Sequence, residues 1–409
     1  MLRRLRTHVA GFFAVIGPGF ITAMVDNDAG GIYTYSQAGA RWGYLPLWTL
    51  LPITLALVVT QEMVARMGAV TGKGLSDLIR EEFGFRTTFF VMIVLLSVNL
   101  TNVMANFAGI ATSLELFGVS RYISVPLGAA AVWLLVVKGT YRSVEKVFLL
   151  ACGFYAAYVV SGVLIQPDWE QAVLSSIRPR LLLDDAYVAI LIGMVGTSVA
   201  PWMQFYLQAA VVEKGIDEKQ YRESRIEVVV GCIVMTSIAF FIIVACAGAI
   251  YSRGPRDISS AAEAAEALRP FGRYAYVLFS AGLFNASLFA ASILPLSTAY
   301  SVCEGLGFES GVNKRFEEAP VFYWLYTLLI VAGAGAVLMP GFPLVRLILT
   351  SQILNGCLLP VILIFMLLLA NRKELMGQWT NSRLFNVIAW TTAGAMISLS
   401  LSLAGLAAL

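Results

Sequence analysis

Long apolar stretches, separated by short polar segments, dominate the pattern of this chain. Three of them cover residues 228–250, 321–338 and 385–409. Each is long enough to cross the hydrocarbon core of a bilayer, which is about 30 Å thick and needs roughly 20 apolar residues. One such stretch could be a buried helix of a soluble protein. A whole series of them predicts a membrane protein built from helices.

The apolar stretches predict eleven transmembrane helices, with boundaries uncertain by about 2–4 residues. They cover approximately residues 11–38, 44–68, 87–117, 122–138, 145–165, 186–212, 228–251, 273–303, 320–338, 342–369 and 385–407. A further polar stretch, residues 257–269, is rich in Ala and Glu and predicts a short external amphipathic helix. No long linker or low-complexity segment divides the chain, which predicts a single transmembrane domain over residues 1–409.

The composition supports a membrane protein and gives its orientation. Only 13% of the 409 residues are charged and the mean hydropathy is +0.79, whereas soluble domains carry about 25% charged residues. Nineteen of the 28 Lys and Arg residues fall in the N-terminal tail and in the loops on its side of the membrane. This excess predicts a multi-pass protein of the cell membrane with a cytoplasmic N-terminus and, after eleven helices, an extracellular C-terminus. The net charge of +3 gives no indication of nucleic-acid binding.

Two of the predicted helices are interrupted near their middle. The first contains residues 26–31, with the sequence DNDAGG, and the sixth contains residues 196–202, with the sequence GTSVAPW. Pro201 removes a backbone donor and two consecutive glycines loosen the helix, so both segments can unwind. Unwound backbone is tolerated at membrane depth only where it lines a cavity.

The two interruptions occupy corresponding positions, because each lies in the first helix of a block of five. Paired interrupted helices are typical of transporters with inverted repeats and a binding site at the membrane midplane. The repeats would cover about residues 11–166 and 186–369, followed by one extra helix at about 385–407. Two unrelated helix kinks are the alternative, and acidic residues at one interruption favour a binding site.

Carboxylates inside a membrane helix are the first candidates for function, because each costs about 2.5–3.5 kcal/mol on insertion scales. Asp28 lies at the interruption, where it can reach a cation together with freed carbonyl oxygens. Asp26 points to a different helix face. It is either a second, outer acceptor or a hydrogen-bonded residue at the end of the helix.

Catalytic chemistry finds no support in the sequence. The five cysteines are scattered without metal-ligand spacing, and the single histidine, His8, lies in the basic N-terminal segment. There is no HExxH motif and no nucleophile paired with a base. We therefore expect a protein that is not an enzyme and has no cofactor. A non-transporting sensor is a further alternative, which metal flux through the purified protein would exclude.

Several motifs resemble the NRAMP family of divalent-metal transporters, in the right order and over nearly the whole chain. The matching segments are residues 17–20, 28–31, 37–40, 61–75, 196–202, 351–352 and 371–377. The resemblance implies a LeuT-like, all-α membrane fold with eleven helices, a 5+5 inverted repeat with broken helices 1 and 6, and alternating access. It also implies a divalent metal ion and the lipid bilayer as partners. We expect a monomer.

The sequence departs from the family at the positions where the family binds metal. The family motif Asp-Pro-Gly-Asn reads Asp28-Ala-Gly-Gly31 here, and Met-Pro-His reads Ala200-Pro-Trp202. By spacing, two carboxylates of the third helix fall on Asn102 and Ala105, and a further first-helix Asp falls on Tyr35. The carboxylate of Asp28 is retained, while the amide, the thioether and the imidazole are lost.

These losses change the ion that the site suits. A thioether favours softer ions, and both Ala200 and Gly31 are smaller than the residues they replace, so we expect a wider site that relies on oxygen. Such a site, with one carboxylate, suits a partly hydrated Mg²⁺. Mn²⁺ also suits oxygen ligands. The metal site predicted by the resemblance consists of Asp28, Gly31, Ala200, Gln61 and the main-chain carbonyls of Val25 and Thr197.

The lost residues include those to which proton coupling in the family is attributed. We therefore expect Mg²⁺ transport without proton coupling, as in the NRAMP-related magnesium transporter branch. The main alternative is a proton-coupled Mn²⁺/Fe²⁺ transporter with unusual ligands. Others are a transporter of organic substrates, whose carboxylate Asp28 would repel, and a family member that binds no metal.

Overall fold

The computed structural model describes residues 17–137 and 152–406, which form helices and no strands. Within this part of the chain, eight helices are long and apolar enough to span a membrane. They are Leu45–Thr71, Leu75–Glu115, Asp185–Glu213, Tyr221–Arg253, Ala261–Leu306, Pro320–Val337, Leu344–Ala370 and Arg383–Leu403. Shorter apolar helices lie at Arg121–Val137 and Gly153–Leu164. The all-α membrane architecture is thus confirmed, and the total of eleven spans stays a prediction.

The α-helices are numbered here in chain order. They are α1 Pro18–Val25, α2 Ala29–Trp42, α3 Leu50–Thr71, α4 Leu75–Glu115, α5 Arg121–Val137, α6 Ala156–Leu164, α7 Trp169–Ile177, α8 Asp185–Ser198, α9 Pro201–Glu213, α10 Tyr221–Ala249, α11 Ala261–Ala265, α12 Ala275–Leu306, α13 Pro320–Val337, α14 Leu344–Ala370, α15 Lys373–Met376 and α16 Arg383–Leu406. Short 3₁₀ helices cover Leu45–Thr49, Cys152–Tyr155, Tyr251–Arg253, Glu266–Tyr274 and Gly377–Trp379.

Both predicted interruptions are present where the sequence places them. The first span breaks between α1, which ends at Val25, and α2, which begins at Ala29. The sixth breaks between α8, which ends at Ser198, and α9, which begins at Pro201. A proline is tolerated in the first turn of a helix, because the N–H that it lacks would have no helical partner there. The predicted boundaries at 11, 138, 145 and 407 lie outside the described residues.

Two helical segments differ from the predictions. The third span was predicted over 87–117, but α4 begins at Leu75 and contains a non-helical residue, Gly84, with φ of 81°. Charged residues in the first turns of α4 lower the local hydropathy, so the apolar pattern did not predict this part of the helix. Helix α7 was not predicted, and it begins where the Asp168 carboxylate accepts a hydrogen bond of 2.9 Å from Gln171 N. A short helix was expected within 257–269, and α11 forms there.

The interior is built by the two broken spans and the long helices around them. Helix α10 packs against α1, α2 and α3, while α4 packs against α12 and α14. Helix α8 lies directly on α14. A Cβ on Gly196 would stand 2.1 Å from the carbonyl oxygen of Gln352, and one on Gly356 would stand 2.4 Å from that of Ile192. Only glycine permits this approach of two backbones.

A buried carboxylate on α10 holds the start of α1. Glu227 Oε1 accepts hydrogen bonds from Gly17 N, at 2.6 Å, and from Phe20 N, at 2.9 Å. The first N–H groups of a helix have no partner within the helix, so Glu227 replaces a capping side chain. Below this contact, Gly19 packs against Val228. The eight-residue helix α1 is therefore tied to α10 by its first turn.

We expect Glu227→Ala to lower the stability of the purified protein, because two buried N–H groups lose their acceptor. Loss of a helix cap costs about 0.5–2 kcal/mol. Glu227→Gln should keep most of the stability, since the amide oxygen still accepts. The check is thermal unfolding in detergent micelles, with Glu223→Ala on the exposed face of α10 as control. Equal melting temperatures for Glu227→Ala and Glu223→Ala would contradict this role.

Candidate functional site

Asp28 stands at the break of the first span and begins α2. Its Oδ1 accepts a hydrogen bond of 3.0 Å from Gly31 N, and its Oδ2 accepts one of 2.8 Å from Asn106 Nδ2. Only 6% of the residue is exposed. A helix N-terminus stabilises a negative charge through its dipole and its free N–H groups. The carboxylate is thus held by one backbone donor and one neutral side chain.

The two broken spans touch each other beside this carboxylate. A Cβ built on Gly31 would lie 3.5 Å from Thr197 Oγ1 and 2.4 Å from the carbonyl oxygen of Asp26. One turn further along α2, Tyr35 and Ser198 share a hydrogen bond of 2.6 Å between their hydroxyl oxygens. Gly31 therefore lies close both to Asp28 and to the Thr197 hydroxyl, and the predicted role of these residues in binding a metal stays a prediction. The hydroxyl of Tyr35 is therefore hydrogen-bonded to Ser198 at the second break.

Val25 and Ala200 flank the two breaks, and their roles in the site stay predictions. Val25 is the last residue of α1, and Ala200 precedes α9 in extended conformation. Both are buried. The methyl group of Ala200 cannot cap α9. Trp202, in the first turn of α9, is buried against Tyr206 with 6.4 Å between ring centroids, which agrees with a packing role.

Four amide side chains form a network next to Asp28, which we call the amide cluster: Asn102 and Asn106 on α4, and Gln352 and Asn355 on α14. Asn102 Nδ2 donates to Asn355 Oδ1 at 2.8 Å, and Asn355 Nδ2 donates back to Asn102 Oδ1 at 3.0 Å. Gln352 Nε2 donates to Asn102 Oδ1 at 3.2 Å. The same amide nitrogen would stand 2.0 Å from a Cβ on Gly30. The glycine therefore lets the cluster approach Asp28.

Most residues of this cluster were not among the predicted site residues. Asn102 was interpreted only as the position of a lost carboxylate, and Asn106 and Asn355 were not predicted. A signal was available, because residues four apart share a helix face, and Asn102 and Asn106 have that spacing inside an apolar span. Amide side chains at membrane depth need partners in the same way as charges do.

Several buried polar side chains near the break have no hydrogen-bond partner among the residues described. They include both oxygens of Asp26, both amide atoms of Asn27 and of Gln61, and Oδ1 of Asn106. Asp26 therefore lacks the hydrogen bonds that a helix-end role requires. Gln61 is fully buried in α3, and its contribution to the site stays a prediction.

The donor set of the site consists of oxygen and neutral amides. Within 17–137 and 152–406, no three His, Cys, Asp or Glu side chains come together in a way that could hold a metal ion. The hydroxyl of Thr197 lies beside Gly31, and Oδ1 of Asn106 forms no hydrogen bond with a described residue. Hard cations such as Mg²⁺ and Ca²⁺ prefer such oxygen ligands. A soft ion would find no sulfur ligand at Ala200.

Solved structures with the same architecture identify the fold. The manganese transporter of Eremococcus coleocola aligns with a TM-score of 0.75 and 20% identity, covering 95% of this chain and 85% of that one. The structure of MhsT in complex with L-phenylalanine aligns with a TM-score of 0.62 and 14% identity, covering 94% and 98%. The chain has the LeuT-like fold, in which the first and sixth helices are broken.

The family follows from the sequence itself. The Nramp family model, described as natural resistance-associated macrophage protein-like, matches residues 19–405, and the chain belongs to this family. A relative from Deinococcus radiodurans, named divalent metal cation transporter MntH, is 28% identical over 401 residues, which are 94% of this chain and 88% of the relative. One of the same name from Burkholderia ambifaria is 26% identical over 412 residues, covering 97% and 89%.

We expect Gly31→Ala to destabilise the break, because its Cβ would stand 2.4 Å from the Asp26 carbonyl oxygen. Overpacking of this kind costs about 1–3 kcal/mol. Gly335→Ala in α13 is the matched control, since nothing lies within 4 Å of the added Cβ. Thermal unfolding in micelles compares the two. A Gly31→Ala protein as stable as the Gly335→Ala protein would show that the break has room for a side chain.

Proposed function

We propose that this chain transports divalent metal ions across the membrane, and that its ion is Mg²⁺, bound with part of its water shell. Mn²⁺ would be accepted as a second ion. The observation that carries the proposal is a buried carboxylate, Asp28, held by Gly31 N and the Asn106 amide, with Ala200 and Trp202 at the positions of the family's thioether and imidazole. The names of the MntH relatives support divalent metal transport. The preference for Mg²⁺ rests on the residues of this chain.

Asp28 supplies the charge that binds the ion, and its neighbours supply oxygen. Mg²⁺ gives up water reluctantly and is usually held by one or two carboxylates together with several waters. Bound waters donate hydrogen bonds, so they require acceptors. The free Oδ1 of Asn106 and the carbonyls of Val25 and Thr197 are acceptors of this kind. Gln61 is a further one in our proposal.

The residues at the second break reduce the preference for softer ions. A thioether ligand suits soft metals, while carbonyls, carboxylates and water suit Mg²⁺, Ca²⁺ and Mn²⁺. Ala200 brings only a methyl group to this position. The site therefore has no means to favour Mn²⁺ or Cd²⁺ over the far more abundant Mg²⁺.

Transport in our proposal needs no proton. By spacing, Asn102 and Ala105 stand where the family has carboxylates, and neither side chain titrates; the only histidine of the chain is at position 8. The membrane potential can drive uptake by itself: two charges gain about 4.6 kcal/mol at 100 mV. This corresponds to more than a thousandfold accumulation at equilibrium.

A proton-coupled Mn²⁺ transporter is the second candidate, and one observation favours it. The carboxylate of Asp26 is buried and forms no hydrogen bond within the described part of the chain. A carboxylate in such surroundings can take up a proton. The solved Eremococcus coleocola neighbour is named a manganese transporter. Asp26 is the residue through which proton coupling would have to act.

The first test is flux into proteoliposomes, with one dye for internal Mg²⁺ and another for internal pH. We expect Mg²⁺ entry under a negative internal potential without acidification. Mn²⁺ entry with acidification, and no Mg²⁺ entry, would overturn the proposal and support the second candidate. No flux of any divalent ion would exclude both.

Asp28→Ala should abolish flux of every divalent ion, because it removes the buried carboxylate that supplies the ion's charged ligand in our proposal. We expect a loss of at least a hundredfold, in line with about 3 kcal/mol for an ion's charged ligand. Asp185→Ala, an exposed carboxylate in the first turn of α8, is the control and should transport normally. Retained transport by Asp28→Ala would move the binding site elsewhere.

Ala200→Met should shift the preference toward Mn²⁺ and Cd²⁺, because a thioether favours softer ions. The single substitution is the sharper test, since a larger residue at Gly31 would also disturb the backbone. Competition of Cd²⁺ with Mg²⁺ flux measures the shift, which we expect to be about tenfold or more. Unchanged competition would mean that residue 200 does not face the ion.

A further inference from the structure

A cavity of about 770 Å³ lies away from Asp28, where the ends of α2, α6 and α10 meet α7. None of its lining residues belongs to the two breaks. Its walls combine apolar side chains, among them Ile165, Leu174 and Leu182, with the guanidinium groups of three arginines. The cavity therefore combines an apolar surface with a basic one.

The charge of this cavity is positive. Arg41, Arg178 and Arg180 line it, against the single carboxylate of Asp168. Arg41 is already paired with Asp257 at 2.5 Å. Arg178 and Arg180 form no ion pair with any residue in the described ranges. Like charges repel, so a divalent cation is disfavoured here and an anion is favoured.

The segment that carries these arginines is fixed in place. The carbonyl oxygen of Arg180 accepts hydrogen bonds from Trp48 Nε1 and from the Tyr187 hydroxyl, both at 3.1 Å. At the other end of α7, the Asp168 side chain caps the helix. These two hydrogen bonds hold the backbone of Arg180, whose guanidinium forms no ion pair within the described ranges. These hydrogen bonds therefore hold the segment that lines the cavity in a defined conformation.

Helix α7 presents an apolar stripe on the face opposite the one that lines the cavity. Trp169, Val173 and Ile177 follow each other at intervals of four and are 40%, 56% and 61% exposed, while Ala172 faces the protein. The Trp169 ring packs edge-on against Phe241 of the membrane span α10, with 6.5 Å between centroids. An amphipathic helix with tryptophan on its apolar face lies in the plane of the membrane interface.

We propose that this cavity binds the headgroup of an anionic phospholipid, with Arg178 and Arg180 on the phosphate and the acyl chains along the apolar wall that Ile165, Leu174 and Leu182 form. Guanidinium groups bind phosphate oxygens in a bidentate manner. The lipid is favoured over a free anion because Ile165, Leu174 and Leu182 give the cavity an apolar wall beside its arginines. This lipid site is independent of the transported ion.

The test measures lipid binding to the full-length protein in detergent by native mass spectrometry. Dioctanoyl phosphatidylglycerol is compared with dioctanoyl phosphatidylcholine, which has chains of the same length and no net charge. We expect phosphatidylglycerol to bind about tenfold more tightly, and the double variant Arg178→Gln/Arg180→Gln to lose that preference. The control double variant Arg222→Gln/Arg315→Gln, whose arginines are exposed at the other end of the molecule, should keep it.

Three outcomes would overturn the proposal. One is equal binding of the two lipids by the unchanged protein. Another is the same preference in Arg178→Gln/Arg180→Gln as in the control. The third is displacement of phosphatidylglycerol by inorganic phosphate at the same concentration, which would identify a site for a soluble anion. Melting temperatures of both double variants, measured without lipid, exclude misfolding as the cause of a lost preference.

Discussion

The whole architecture depends on the rule that backbone polar groups at membrane depth must find partners within the protein. The breaks in two spans leave backbone N–H and C=O groups without helical partners, and the structure supplies hydrogen-bond partners for several of them. Asp28 accepts the N–H of Gly31, the Tyr155 hydroxyl donates to the Asn27 carbonyl at 2.7 Å, and Glu227 accepts the first N–H groups of α1. The binding site that we propose consists of oxygens that remain after this requirement is met.

The amide cluster fulfils the same requirement with neutral groups. An amide both donates and accepts, so Asn102 and Asn355 can satisfy each other without a charge. Carboxylates at these positions would need protons or cations to be tolerated in the interior. The neutral cluster leaves Asp28 and Asp26 as the acidic side chains of the first break, and the electrostatics of the site depend on these two residues.

The sequence predicts the class, the helices and the breaks because each leaves a local signal. Apolar length marks the spans, Pro201 and the Gly30-Gly31 pair mark the interruptions, and Asp28 is visible as a charge inside a span. The amide cluster leaves only a partial local signal, the spacing of Asn102 and Asn106, because its other contacts join α4 to α14 across about 250 residues of chain. Helix α7 and the start of α4 were missed since charged residues interrupt their apolar pattern. The clash at Gly31 depends on backbone distances that no local pattern records.

The contact between α8 and α14 has a mechanical consequence. At Gly196 and Gly356 one backbone rests on the other, with no side chain between them to be compressed or to change rotamer. Packed interiors have low compressibility and transmit displacement directly. We therefore expect α8, which precedes the second break, and α14, which carries Gln352, to move together as one rigid unit. A tilt of α8 would carry Gln352 and Asn355, the α14 half of the amide cluster, with it.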